Sequence, residues 1–189
     1  MKMKRIASVV LTGALVLSMG VAAFAATPSK TVADEVKAVA SVETTGFDRV
    51  EIKTEETEAT VAQSAAVVKE LAAAPAELGT AVGATKEEQV EVTAVQTVTV
   101  AQTPLFNRTT ATVTLSSAVV EAAYKENEEV AVVVMIPVVD KDGNVSYEKM
   151  VVTGVVKDGK VQVKLTGAQL KKIGKKSVTM VATKKTAKV

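Results

Sequence analysis

The feature that most constrains the fold is an alternation of apolar and polar residues in the middle of the chain. Val90, Val92, Ala94, Val98 and Val100 are interspersed with glutamate and threonine over a long stretch. Successive side chains of a β-strand point to opposite faces, so this spacing predicts a strand with one buried face and one face in water. The chain therefore has to build a sheet around this segment.

Further strands are predicted along the rest of the chain. Residues 130–139 are apolar apart from the interruption at Pro137, which predicts a strand covered on both faces near its middle. The glycine-containing segments 140–143 and 157–159 predict hairpin turns on either side of the strand that follows. Ser116 and Ser117 can begin a short helix that runs to Tyr124. The predicted strands after residue 100 are 111–115, 130–139, 145–156, 161–165 and 178–182.

Six strand candidates at short spacing predict an α+β protein whose main part is an antiparallel β-sandwich, loosely like an immunoglobulin domain. The likeness rests on the strand pattern alone. The Cys…Trp…Cys marks of immunoglobulin domains are absent, because the chain contains no Cys and no Trp. We assign this β-rich domain, with its Lys-rich C-terminus, to residues 88–189.

Residues 26–87 are acidic and rich in alanine, which predicts a mainly helical segment. Thr31 and Asp34 resemble a capping box, and Val32, Val36 and Val39 then fall on one helical face that ends at Gly46. A brief strand with Phe47, Val50 and Ile52 follows.

A second helix is predicted over residues 56–74, ended by Pro75 and followed by a loop to residue 86. Its apolar stripe is Val61, Ala65, Val68, Leu71 and Ala72. The acidic segment is either a separate helical unit or a layer that covers one face of the sheet. We favour the layer, because so Ala-rich a unit buries little apolar surface by itself.

The first 25 residues have the three parts of a secretory signal peptide. A basic start at residues 1–5 precedes an uncharged apolar run over residues 6–23, and Ala23-Phe24-Ala25 forms a small-x-small cleavage pattern. Cleavage is therefore predicted between Ala25 and Ala26. No later run is apolar enough to cross a membrane, so no transmembrane segment is predicted after signal removal. An exported chain without cysteine fits the exterior of a bacterial cell.

Composition excludes several kinds of chemistry. With no Cys and no His, thiol nucleophiles, imidazole bases and metal sites built on these residues are impossible. Aromatic residues make up 3% of the chain, so stacking platforms for sugars and nucleic-acid bases are scarce. No cofactor is predicted.

Two short motifs resemble functional sites. Asp140, Asp142 and Asn144 match the start of a calcium-binding loop, but the glycine comes too early and the closing acid is missing. An ordinary hairpin turn explains the same residues. Ser146 and Lys149 match the Ser-x-x-Lys motif of penicillin-recognising acyl enzymes. In a strand, however, positions i and i+3 point to opposite faces, which separates the hydroxyl from the amine.

Charge is divided unevenly along the chain. Acidic residues outnumber basic ones over residues 26–100, whereas basic residues outnumber acidic ones over residues 101–189. Lysines crowd the C-terminus without an intervening acid, either as a solubilising face with a frayed tail or as a binding site for an anionic polymer. The candidate polyanion-binding residues are Lys171, Lys172, Lys175, Lys176, Lys184, Lys185 and Lys188.

These observations favour an exported, non-enzymatic binding or structural protein of the bacterial cell surface or extracellular space. Its expected partner is an anionic cell-wall polymer or another surface protein. Nucleic acid is disfavoured, because arginine is scarce and no aromatic residues are interleaved with the lysines. Two other classes stay open. One is a hydrolase, or an enzyme-associated subunit, that uses carboxylates or a Ser–Lys pair; the other is a surface subunit that self-assembles.

Overall fold

The computed structural model describes residues 15–17, 36–46 and 49–188. Within these residues the chain alternates between long strands and short helices. The strands are β1 Leu15–Leu17, β2 Val39–Thr45, β3 Glu51–Lys53, β4 Glu88–Gln102, β5 Thr110–Ser116, β6 Glu129–Val139, β7 Val145–Lys157, β8 Lys160–Thr166 and β9 Ser177–Ala187. The helices are α1 Glu58–Ala73, α2 Pro75–Ala81, α3 Ala118–Ala123 and α4 Gly167–Ile173.

The strands form one antiparallel sheet that is nearly closed. Their order is β1-β4-β9-β6-β7-β8-β5-β2, and β3 also pairs with β4. The segment before β2 pairs with β4, which lies near the other end of this strand order. Ala38 N–H donates to the Val95 carbonyl (3.0 Å), and Val95 N–H donates to the Val36 carbonyl (2.8 Å). The α+β class with mainly antiparallel strands is thereby confirmed, and the immunoglobulin-like sandwich stays a prediction.

The sheet encloses one apolar core and carries a second core on its outside. Val134 and Ile136 of β6 pack in the inner core with residues from β4, β5, β8 and β9. Val133 and Met135 point the other way, into an outer core formed with α1 and α2. The prediction that this strand is covered on both faces is therefore confirmed, and so is the preference for a helical layer on the sheet.

The prediction that one face of β4 is exposed to water is wrong for the middle of the strand. Val95 and Thr97 are almost fully buried, because α1 lies over the middle of the strand. The hydroxyl of Thr97 shares one hydrogen bond with Ser64 of α1 (2.7 Å) and another with Thr179 of β9 (2.8 Å). A buried hydroxyl with partners of this kind carries little penalty, so threonine alternation does not require exposure to water.

The acidic segment is helical only in part. Residues 31–35 lie outside the described residues, so the capping box at Thr31 stays a prediction. From Val36 onward the predicted first helix is wrong: Val36 is buried beside β4, and Val39 begins β2, which pairs with β5. The brief strand after Gly46 is confirmed as β3, although Phe47 lies outside the described residues.

The second helix is confirmed as α1, with a capping box between Thr57 and Thr60 at its start. Its buried face is rotated from the predicted stripe, because Val61 is 46% exposed while Val67 is fully buried. The predicted loop after Pro75 is wrong, since Pro75 begins α2 and Leu78 fills the outer core. Proline suits the first position of a helix, where its missing N–H has no helical partner.

The remaining elements follow the prediction closely. Both hairpins form, Ser117 caps α3, and Thr166 caps α4 through a capping box with Gln169. The prediction of a frayed C-terminal tail is wrong for the residues up to Ala187, because β9 stays paired with β4 through Lys184 and Lys185. Apart from Leu15–Leu17, the signal-peptide segment lies outside the described residues. Cleavage between Ala25 and Ala26 therefore stays a prediction.

Candidate functional site

Two ends of the sheet carry the connecting segments. Because neighbouring strands are antiparallel, the segments 103–109, 140–144 and 167–176 emerge together at one end, which we call the loop end. The segments 82–87, 117–128 and 158–159 and residue 188 lie at the other end, which we call the opposite end. This division decides which charged residues can act together.

The seven candidate lysines do not form one cluster. Lys171 and Lys172 belong to α4 and Lys175 and Lys176 to the following turn, so these four lie at the loop end. The other three lie at the far end of β9 or just beyond it. Lys184 comes eight residues after Lys176 across this extended strand, which places the nearest members of the two groups about 26 Å apart along the sheet. The structure therefore does not bring all seven lysines together, and their role in polyanion binding stays a prediction.

The three lysines at the opposite end contact the protein itself. Lys184 donates to the carbonyl of Ala123, and its ammonium lies 5.1 Å from the centre of the Tyr124 ring. Lys185 and Lys188 donate to the carbonyls of Gly83 (3.5 Å) and Lys86 (2.6 Å). These contacts fasten the end of β9 to α3 and to the segment before β4.

Tyr124, whose ring lies beside Lys184, is partly buried against the inner core. Burial raises the pKa of its phenol, and its hydroxyl shares a hydrogen bond with Thr93 (2.8 Å). The neutral ring presents its face to the Lys184 ammonium, an arrangement that stabilises the charge. Lys184 therefore has a structural role that the sequence pattern does not reveal.

The lysines at the loop end are exposed, and one of them, Lys171, lines a pocket of about 750 Å³. Lys171 lines this pocket together with Arg108, so two cations from distant parts of the chain share one surface. Leu105 and Phe106 are 78% and 65% exposed at the same place. The residues that line the pocket are Gly46, Leu105, Phe106, Asn107, Arg108, Thr109 and Lys171.

Close packing of α4 against the β4–β5 segment sets the geometry of the pocket. A Cβ atom at Gly167 would lie 2.8 Å from the Asn107 Cα, the Asn107 carbonyl oxygen and the Phe106 carbonyl oxygen. Only glycine allows this approach. Leu170 and Ile173 then bury the inner face of the helix, which leaves Lys171 and Lys172 outside.

The sequence reasoning missed Arg108, Leu105 and Phe106. A signal for them was present, because Leu105 and Phe106 form an apolar pair in a connecting segment that also contains Pro104 and Asn107. Apolar residues in a turn-rich segment either fill a core or remain exposed for contact with a partner. The lysine pattern alone could not identify Arg108, which comes to Lys171 only through the fold.

The candidate calcium residues form a hairpin turn. One carboxylate oxygen of Asp140 accepts from the N–H groups of Asp142 and Asn144, both at 2.8 Å, and the other accepts from the Asn144 amide at 2.9 Å. Gly143 completes the turn with a φ of 84°. Within residues 15–17, 36–46 and 49–188, no group of three or more acidic side chains is placed to hold a metal ion.

Asp140 makes this hairpin sensitive to acid. Hydrogen bonds from Asn144 hold the pKa of Asp140 below its ordinary value. The charged form thus stabilises the turn above the unfolded-state pKa of about 4, and this contribution disappears as pH falls through the lowered pKa. We expect the N–H resonances of Asp142 and Asn144 to titrate by NMR with a midpoint below the ordinary Asp value. Asp140→Asn should abolish this titration; a midpoint at or above the ordinary value contradicts the assignment.

The Ser-x-x-Lys motif lies in β7, as its strand pattern predicts. The Lys149 ammonium pairs with Glu77 of α2 at 2.6 Å, and this hydrogen bond lowers the pKa of Glu77. The Ser146 hydroxyl instead donates to the Val138 carbonyl at 3.4 Å. The two groups therefore bond to different parts of the fold, and Lys149 connects the sheet to α2.

Fold and surface together define a β-rich protein whose nearly closed sheet presents a basic pocket at one end. No protein-family model, curated protein or solved structure matches the chain. None of the helices in the described parts of the chain is long and apolar enough to cross a bilayer.

Proposed function

We propose that the chain is an exported, non-enzymatic binding protein of the bacterial cell surface or extracellular space, and that it attaches to an anionic polymer through its loop end. The observation that carries this proposal is the shared pocket of Lys171 and Arg108. Lys172, Lys175 and Lys176 continue the basic surface beside it. The lysines of the opposite end are assigned to stability instead.

The charge balance at the loop end supports this choice of surface. In the described connecting segments at this end, the acidic residues are Asp140 and Asp142. The hydrogen bonds of the hairpin turn already engage the Asp140 carboxylate. The basic residues of the same segments are Arg108, Lys141, Lys171, Lys172, Lys175 and Lys176. Lys172 pairs with Glu148 of β7, which leaves five cations against the two acids. Such an excess attracts a polymer whose negative charges repeat along its length.

Export is supported by the signal-like start of the sequence. A protein located outside the cytoplasmic membrane meets acidic wall polymers and glycans directly. Each lysine–anion contact at an exposed site is weak, so attachment requires several contacts and is strongly screened by salt.

Charge removal at the loop end tests the proposal. We expect Lys171→Gln with Lys175→Gln to weaken binding of the chain beginning at Ala26 to inorganic polyphosphate by about tenfold or more, because each cation near an anionic surface contributes about fivefold. Lys185→Gln with Lys188→Gln removes equal charge at the opposite end and should change the affinity less than about twofold. Isothermal titration at low salt measures both. Equal losses from the two pairs would contradict a specific loop-end site.

Cell fractionation tests the same proposal in the native setting. The protein should appear in a high-salt wash of whole cells, with an intact mass that begins at Ala26. The loop-end variant should move to the culture medium. An uncleaved protein in the envelope would contradict the predicted removal of the signal peptide. Wild-type protein found mainly in the medium would contradict attachment by charge.

A further inference from the structure

Exposed apolar side chains are concentrated at the loop end. Leu105 and Phe106 protrude from the β4–β5 segment. Val138, Val139 and Val145 are exposed around the tip of the β6–β7 hairpin. The other large apolar residues that are exposed in the described chain lie apart from one another; they are Val39, Val61 and Val151.

The strands that lead to the two apolar segments, β4 and β6, end at similar levels along the strand direction. Thr97, Thr179 and Met135 stand opposite one another across β4, β9 and β6. From this level β4 continues to Gln102 and β6 continues to Val139, which are comparable lengths at about 3.3 Å per residue.

The basic segment of α4 and its following turn connects the two tips. Lys171 lines the pocket beside Leu105 and Phe106. Lys172 pairs with Glu148 of β7 at 2.7 Å, and Lys176 donates to the Pro137 carbonyl of β6 at 3.2 Å. Cations thus lie between and beside the apolar side chains rather than on a separate face.

We infer that the loop end docks on the surface of a bilayer rich in anionic lipids. Leu105 and Phe106 enter the interfacial region, while Lys171, Lys175 and Arg108 contact headgroup phosphates. This inference rests on the proposed attachment to an anionic partner and names that partner. A hydrated polymer satisfies the cations alone, whereas a lipid surface satisfies the cations and also removes the apolar side chains from water.

Vesicle binding of the chain beginning at Ala26 tests this inference. The probes are vesicles of phosphatidylcholine alone and vesicles in which about one third of the lipid is phosphatidylglycerol. Binding is expected only to the anionic vesicles. Leu105→Ser with Phe106→Ser should weaken it by about tenfold or more, because two large apolar groups no longer leave water. Val39→Ser, the control on an exposed valine at the opposite end, should leave it unchanged.

A fluorescent reporter tests insertion directly. The chain contains no tryptophan, so Phe106→Trp introduces a single fluorophore at the loop end. Its emission should shift to the blue on anionic vesicles and be quenched by brominated acyl chains. Val39→Trp places the same fluorophore at the start of β2, at the opposite end, where neither change is expected.

Polyphosphate binding, measured on the same variants, separates failure of this inference from failure of the proposed function. Loss of polyphosphate binding in the lysine variant, with vesicle binding unaffected by Leu105→Ser and Phe106→Ser, overturns the lipid inference and leaves polymer attachment standing. Polyphosphate binding without vesicle binding has the same meaning. Binding to neither probe removes both proposals. Dimerisation through the loop end, abolished by the Leu105 and Phe106 changes, would show that a second copy covers this face and overturn the lipid inference.

Discussion

Val133→Asp and Val134→Asp are each expected to unfold the protein at neutral pH and 25 °C. The two valines are adjacent in β6 and point to opposite faces of the sheet. Val134 lies in the inner core, whereas Val133 lies in the outer core beneath the helices. Both are fully buried, so either aspartate would place a carboxylate among apolar side chains without a partner.

The size of this effect follows from two costs. A buried carboxylate takes up a proton instead of remaining charged, and documented shifts of 3–5 pKa units correspond to about 4–7 kcal/mol. Loss of the buried valine adds about 1.5–3 kcal/mol. Since a domain of this kind is stable by about 5–15 kcal/mol, one substitution removes most or all of the free energy of unfolding.

Val139→Asp is the matched control, because Val139 belongs to the same strand and is 63% exposed. It should leave the circular dichroism spectrum and the melting temperature nearly unchanged. A Val133→Asp variant that keeps the wild-type melting temperature would contradict the outer core and show that α1 and α2 do not cover the sheet. A Val134→Asp variant with an unchanged melting temperature would contradict the inner core.

Leu170→Ala is expected to lower the free energy of unfolding by about 2–5 kcal/mol. Leu170 is fully buried in the inner core and, together with Ile173, attaches α4 to the loop end of the sheet. Alanine would leave a cavity beneath a helix of only seven residues, which has little stability apart from its packing. Urea unfolding of both proteins, monitored by circular dichroism, gives the difference.

Leu170→Met conserves the side-chain volume and should cost less than about 1.5 kcal/mol. The same pair of variants connects the core to the candidate site. Because α4 carries Lys171, a loosened helix should also weaken polyphosphate binding in the alanine variant but not in the methionine variant. Equal stability of the two variants would contradict the buried position of Leu170.

Strands whose pattern reflects local geometry could be predicted from the sequence. The apolar run of β6 and the Asp-Gly turns on either side of β7 indicated their structures directly, because turn chemistry and two-sided burial depend on few residues. The same holds for the cap at Ser117. Each of these signals lies within one element or at its boundary.

The first part of the acidic segment shows how a local pattern can mislead. Val32, Val36 and Val39 fit helical spacing, yet Val36, Ala38 and Ala40 are buried in alternation, which is the spacing of a strand. Both patterns were present in the sequence. The extended conformation is stabilised by Val95 of β4, whose backbone N–H and carbonyl groups hydrogen-bond to this segment.

Local sequence patterns indicated most of the strands, both hairpins and the cap at Ser117, and composition excluded thiol and imidazole chemistry. Only the tertiary structure decided which threonines are buried, which lysines lie near one another and which apolar residues lie beside them. The physical reason is distance: β9 is extended, so it separates lysines that are near in sequence, whereas the antiparallel sheet brings Arg108 to Lys171. Contact between residues distant in sequence depends on the register of the whole sheet, and no local spacing encodes that register.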